Sequence, residues 1–108
     1  MGKGKMTPKS ITVSGLTWKI RRRAKLTYSG EEVYGLIFPD TQEIHLSSKA
    51  LANVDRTRKT LLHEAMHAAL VGFPQYYDEN LITILEEKVD ELIRLNPQLM
   101  EMYGYVQS

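Results

Sequence analysis

Apolar residues alternate with polar ones over much of the first half of the chain and recur every three to four positions over the second. From Ser10, the β-branched Ile11, Thr12 and Val13 begin a strand, and Ser14–Gly15 turns or bulges it. Thr17–Tyr28 sets Trp18 and Ile20 against Lys19 and Arg21, the period-two pattern of a half-buried strand, and Ser29–Gly30 is a turn signal. Two short β-rich runs, Glu32–Ile37 and Gln42–Leu46, flank Phe38-Pro39-Asp40-Thr41 and read as a hairpin. About three antiparallel strands are expected here.

The second half reads as helical. Ser47, Ser48 and Asp55 are candidate N-caps. From Arg56 to about Val71, Leu61, Leu62, Ala65, Met66, Ala69 and Leu70 fall at helical spacing, and Gly72 and Pro74 stop the run. Asp78 can cap a second helix to about Leu95, with Leu81, Ile82, Leu85, Val89, Leu92 and Ile93 as its apolar positions. On that helix Glu87, Asp90 and Glu91 read as solvated charges. Asn96–Pro97 ends it, and Leu99–Tyr105 adds a final turn packed by Leu99, Met102 and Tyr103. The expected fold is α+β: a small antiparallel sheet of about three strands packed on one long helix and a second C-terminal helix.

Composition narrows this picture. With 108 residues the chain fits a single domain, residues 10–108, behind a flexible basic segment at residues 1–9. Apolar residues make up 43% and charged residues 25%, ordinary for a globular protein. No apolar run suggests a membrane span or a signal peptide. There are no cysteines, which is compatible with a cytoplasmic location and leaves any metal to His, Asp or Glu. The net charge of +1 is uneven: residues 1–30 carry eight basic side chains and no acidic one, and the remainder carry six basic and thirteen acidic. The basic N-terminus could contact nucleic acid. No aromatic-interleaved stripe accompanies it, so it reads rather as a solubilising segment.

Residues 63–67 read His63-Glu64-Ala65-Met66-His67, an HExxH sequence, and hold two of the three histidines. On a helix, residues four apart lie about 40° apart in projection, so both imidazoles can reach one metal ion. Glu64, about 100° round from His63, is placed to act on a water rather than as a third ligand. Zn2+ suits such a site: it lowers the pKa of a bound water, and Glu64 can take the proton as hydroxide attacks a carbonyl. Two imidazoles and a carboxylate in an apolar helix would be costly to bury without a partner. No histidine follows His67, so the third ligand must be acidic. Glu79 in the first turn of the second helix and Glu86 beside its apolar stripe are the candidates, and Asp78 suits a cap better.

The stretch from Val33 to Tyr103 resembles small phage and bacterial metallopeptidase domains of the ImmA/IrrE-like and SprT-like kind. The resemblance lies in YGLIFPDTQEIHLS, RTRKTLLHEAMHAAL and DENLITILEEKVDELIRLNPQL. It implies a gluzincin-type site, two histidines and a downstream Glu, which maps best to Glu79 with Ile82 as the following apolar position. It also implies a strand edge beside the helix along which an extended peptide lies; Glu43–Leu46 would be that strand, and His45 either points to the cleft or is a surface strand residue. The chain lacks a helix-turn-helix segment and the later His ligand of SprT-like proteins. For stabilising an oxyanion, Tyr76 and Tyr77 are the nearest candidates. The reading is a cytoplasmic zinc metallopeptidase hydrolysing a peptide bond in a protein partner, with His63, His67 and Glu79 on the metal and Glu64 as base. The alternative is a zinc-stabilised, non-catalytic module that binds nucleic acid or a partner protein.

Overall fold

The computed structural model describes residues 7–105 and is α+β, as the sequence predicts. Six strands come first: β1 (Ser10–Val13), β2 (Leu16–Arg23), β3 (Leu26–Tyr28), β4 (Glu31–Val33), β5 (Gly35–Phe38) and β6 (Glu43–Ser47). Three helices follow: α1 (Val54–Ala69), α2 (Glu79–Leu95) and α3 (Pro97–Met102). The expected flexible segment lies mostly outside the described residues. Its last residue, Lys9, already joins the sheet, because its carbonyl accepts from the Ile20 amide at 2.9 Å.

Four strands form a mixed sheet in the order β1-β2-β6-β5, and β3 and β4 form a separate hairpin. The expected hairpin is present as β5–β6, with Ile37 opposite Ile44, but its first run breaks at Tyr34 and Glu32–Val33 pairs with β3 instead. Two features differ from the expectation of about three antiparallel strands. Thr17–Tyr28 breaks at Ala24-Lys25, so that β3 leaves the main sheet. The β2 strand then pairs with β6 in parallel, Ile20 opposite Ile44, because the chain makes the β3–β5 excursion before returning.

Alternation decides which side of the sheet is covered. Trp18, Ile44 and Leu46 point to one face, where Ala50 and Ala68 complete a buried cluster that Ile20, Ile37 and Leu61 pack against. The α1 helix lies on this face. Its cap is Asn53 rather than the expected Asp55: the Asn53 Oδ1 accepts from the Arg56 amide at 2.7 Å. Asp55 sits in the first turn, where a carboxylate opposes the helix dipole. Ser47 instead serves the short 3-10 turn Ala50–Ala52, accepting from the Ala50 amide.

The α2 helix begins at the expected cap, with Asp78 Oδ1 accepting from the Leu81 amide at 3.2 Å. Its inner face keeps only Ile82 and Val89 of the expected apolar stripe. Ile82 and Asp90 are buried and Glu86 and Val89 half-buried, whereas Leu81, Leu85, Leu92 and Ile93 are exposed. Asp90 in particular is not a solvated charge. It is 3% exposed and receives Arg58 Nε at 2.5 Å and Arg94 Nε at 3.1 Å. Cations on α1 make this polar inner face tolerable: Lys59 meets Glu87 at 2.9 Å, one helix turn from the Arg58–Asp90 pair. The final helix forms as expected, but Met102 and Tyr103 are exposed and only Leu99 and Met100 are half-buried. No helix among the described residues is long and apolar enough to cross a membrane.

Candidate metal centre

The third and fourth turns of α1 bring its two histidines to the mouth of a cleft. His63 and His67 stand one turn apart, ring centroids 4.9 Å from each other, with Nε2 atoms 3.2 Å apart. The first turn of α2 supplies Glu79, whose Oε2 lies 2.9 Å from His63 Nε2 and whose Oε1 lies 2.9 Å from His67 Nε2. Donor atoms of His63, His67 and Glu79 all lie within 4.8 Å of one another, a grouping that could hold a metal ion. Of the two candidate third ligands, only Glu79 joins this group.

Glu86 takes a different place. Its Oε1 meets His63 Nδ1, the far side of the ring, at 2.6 Å. A proton on Nδ1 held by Glu86 leaves the Nε2 lone pair of His63 facing the Glu79 carboxylate. Two electron-rich groups so close need a cation between them, a proton or a metal ion.

Glu64 points to the sheet side of the helix. It is 7% exposed, and burial pushes its carboxyl up to about 7; His63 pulls the value down, and Glu79 and Glu86 raise it. Gly35 on β5 allows this position. A Cβ there would meet Thr60 Cγ2 at 2.9 Å, Glu64 Cγ at 3.0 Å and Glu64 Oε2 at 3.2 Å. The missing side chain lets β5 close on the helix. The His67 pKa is lowered by burial, against the opposing pull of Glu79.

Tyr77 arrives from the loop between the helices. Its ring lies 5.2 Å from that of His67, and its hydroxyl donates to Glu79 Oε1 at 2.9 Å. Desolvation, reinforced by Glu79, pushes this phenol up to about 12, so it stays a donor. Tyr76 is 67% exposed and does not line the cleft.

The cleft has a volume of about 810 Å³. One wall is α1 with Glu79 and Tyr77; the other is the backbone run Val33–Ile37. This corrects the expected strand edge. Glu43–Leu46 belongs to β6, which is paired on both sides, and the edge strand is β5. His45 is corrected with it. It is neither in the cleft nor a surface residue: it is 6% exposed on the sheet face away from α1, with Nε2 2.9 Å from Glu43 Oε1 and Nδ1 accepting from Arg23 at 3.3 Å. Phe38, 4.2 Å from its ring, helps to cover it.

Gly35, Arg56 and Tyr34 also shape the cleft, and sequence reasoning gave none of them a role. Arg56 had a readable signal, lying seven residues before His63 on the same helix face. Gly35 had none, because one glycine in a strand does not say which helix it faces. No family model, curated protein or solved structure matches the chain.

Proposed function

We propose that the chain is a zinc-dependent metallopeptidase that hydrolyses a peptide bond in a protein partner inside the cytoplasm. One observation carries the reading: two Nε2 atoms and a carboxylate converge on one point, with a buried carboxylate, Glu64, beside them at the cleft. The donor set fits zinc, which takes imidazole and carboxylate ligands and keeps a position open in catalytic sites. The separation of the two nitrogens, 3.2 Å, is near the roughly 3.3 Å edge of a tetrahedron with bonds of about 2.05 Å.

His63, His67 and Glu79 would hold the ion, and Glu86 would fix the His63 ring through Nδ1. The ion, when bound, supplies Lewis acidity to the scissile carbonyl and acidifies a water. Glu64 takes the proton of that water as its oxygen attacks the carbonyl carbon, and returns it to the departing amide nitrogen as the C–N bond breaks. Burial, the main cause that raises the Glu64 carboxyl, favours its holding the proton between the two steps. Tyr77 is within reach of Glu79 and orients it. An extended peptide would lie along the β5 edge.

Purified protein should contain about one equivalent of zinc, lost in His63→Ala, His67→Ala and Glu79→Gln. Glu64→Gln should keep the zinc and lose cleavage of an unfolded protein such as casein by at least about a hundredfold. Full cleavage by that variant would remove Glu64 as the base. Zinc retained with no cleavage by the native chain would leave a zinc-stabilised binding module. Among the basic residues of β2, Arg21 is engaged with Glu43 and Arg23 with the His45 ring.

A further inference from the structure

We propose that Arg56 recognises a carboxylate on the substrate, about three residues from the scissile bond. This rests on the peptidase reading above and specifies the class of peptide that the cleft takes. Arg56, Lys59, His63 and His67 follow one another at three- and four-residue spacing and all line the cleft. Seven residues of helix between Arg56 and His63 rise about 10 Å, the length of about three residues of extended peptide.

Charge bookkeeping in the cleft singles out Arg56. Glu32 meets Lys49 at 3.3 Å, Glu86 meets His63 at 2.6 Å, and Glu87 holds Lys59 at 2.9 Å. Asp55, next to Arg56 in sequence, turns instead to Arg58 at 3.0 Å. Among the described residues the Arg56 guanidinium pairs with no carboxylate. It is exposed and lies over the Tyr34 ring, 4.3 Å from the ring centre. A cation–π contact of this kind holds the guanidinium over the ring and leaves N–H groups for an anionic acceptor.

Continuity with the strand edge gives the direction of approach. Tyr34 immediately precedes β5, so a peptide paired along Gly35–Phe38 comes to the Tyr34–Arg56 pair as it leaves the strand. A carboxylate there completes a fork-to-fork pair. It can belong to an Asp or Glu side chain or to the end of the chain.

Short peptide hydroxamates, in which the hydroxamate occupies the metal position, test this without turnover. Two sets extend the peptide to either side of the hydroxamate. Each places Glu, or Gln as control, three residues away, and a third arm replaces the acidic side chain by a free C-terminal carboxylate. Calorimetric titration of the zinc-loaded protein should show one acidic arm binding about fivefold tighter than its neutral control, with the advantage shrinking in salt. The responding arm distinguishes a side chain from a chain terminus. In Arg56→Ala and Arg56→Gln the advantage should vanish, while the neutral hydroxamate binds as before and so reports an intact fold. Equal affinities for acidic and neutral arms, or an advantage that persists in both variants, overturn the proposal and leave the peptidase reading in place. A protein that takes up no zinc, or zinc-loaded protein that ignores the neutral hydroxamate, overturns that reading and this inference together.

Discussion

At the scale of single residues, the site depends on one absent side chain and one outer carboxylate. Gly35 has an ordinary strand role, yet a Cβ there would press on Thr60 and Glu64 at 2.9–3.0 Å. Gly35→Ala should therefore cost about 1–3 kcal/mol in a denaturant melt and displace Glu64, with a fall in peptide cleavage larger than any fall in zinc content. An unchanged melt would mean that β5 retreats freely. Glu86 touches only the far nitrogen of His63. Glu86→Gln should keep one zinc per chain but weaken its affinity by about ten- to a hundredfold in competition with a chelating dye; total loss of binding would make Glu86 a ligand. HExxH fixed the roles expected of His63, Glu64 and His67 because four-residue spacing is a local property of a helix. The choice between Glu79 and Glu86 was not local. It depended on how α2 lies across α1, which no spacing within α2 encodes.

At the scale of elements, α2 shows where patterning misleads. Its apolar residues suggest an inner face of Leu81, Ile82, Leu85, Val89, Leu92 and Ile93, but only Ile82 and Val89 turn inward, and the face turned to α1 includes Glu86 and Asp90. The partner helix decides the outcome, since α1 offers Arg58, Lys59 and His63 to this face. The Asp90 carboxyl is held below its usual range, first by its hydrogen bond to Arg58, against burial, with Arg94 adding to the effect. A carboxyl depressed in the folded state gives stability that is complete above the unfolded value, about pH 4, and is lost as pH falls through the folded value. Asp90→Asn should cost about 2–3 kcal/mol at pH 7 and flatten the acid limb of a stability–pH curve below pH 4; an acid limb unchanged in the variant would place the titration elsewhere. The strands were more readable. Alternation located β2, because a half-buried strand writes its burial directly into sequence, and two β-rich runs around the Pro39-Asp40 turn located β5 and β6. Parallel pairing of β2 with β6 left no such trace, since it joins segments over twenty residues apart.

At the scale of the whole molecule, a sheet covered on one face by α1 leaves its edge strand β5 beside the proposed metal position, and α2 closes the far side. Sheet and α1 share a continuous apolar cluster, whereas α2 contributes only Ile82 and Asp90 to the interior. The proposed ligands divide along the same line: two histidines on the well-anchored helix, Glu79 on the lightly anchored one. An ion bound by both would act as a clasp between them, so its occupancy and the attachment of α2 would be thermodynamically linked. Stripping zinc with a chelator should speed amide hydrogen exchange across residues 79–95 while β2 and β6 keep their protection. Uniform exchange in both forms would show that α2 holds without the ion. With such a clasp in place, the supply of metal would set how long the second helix stays docked, and the proposed hydrolase would act as a gauge of its own ion.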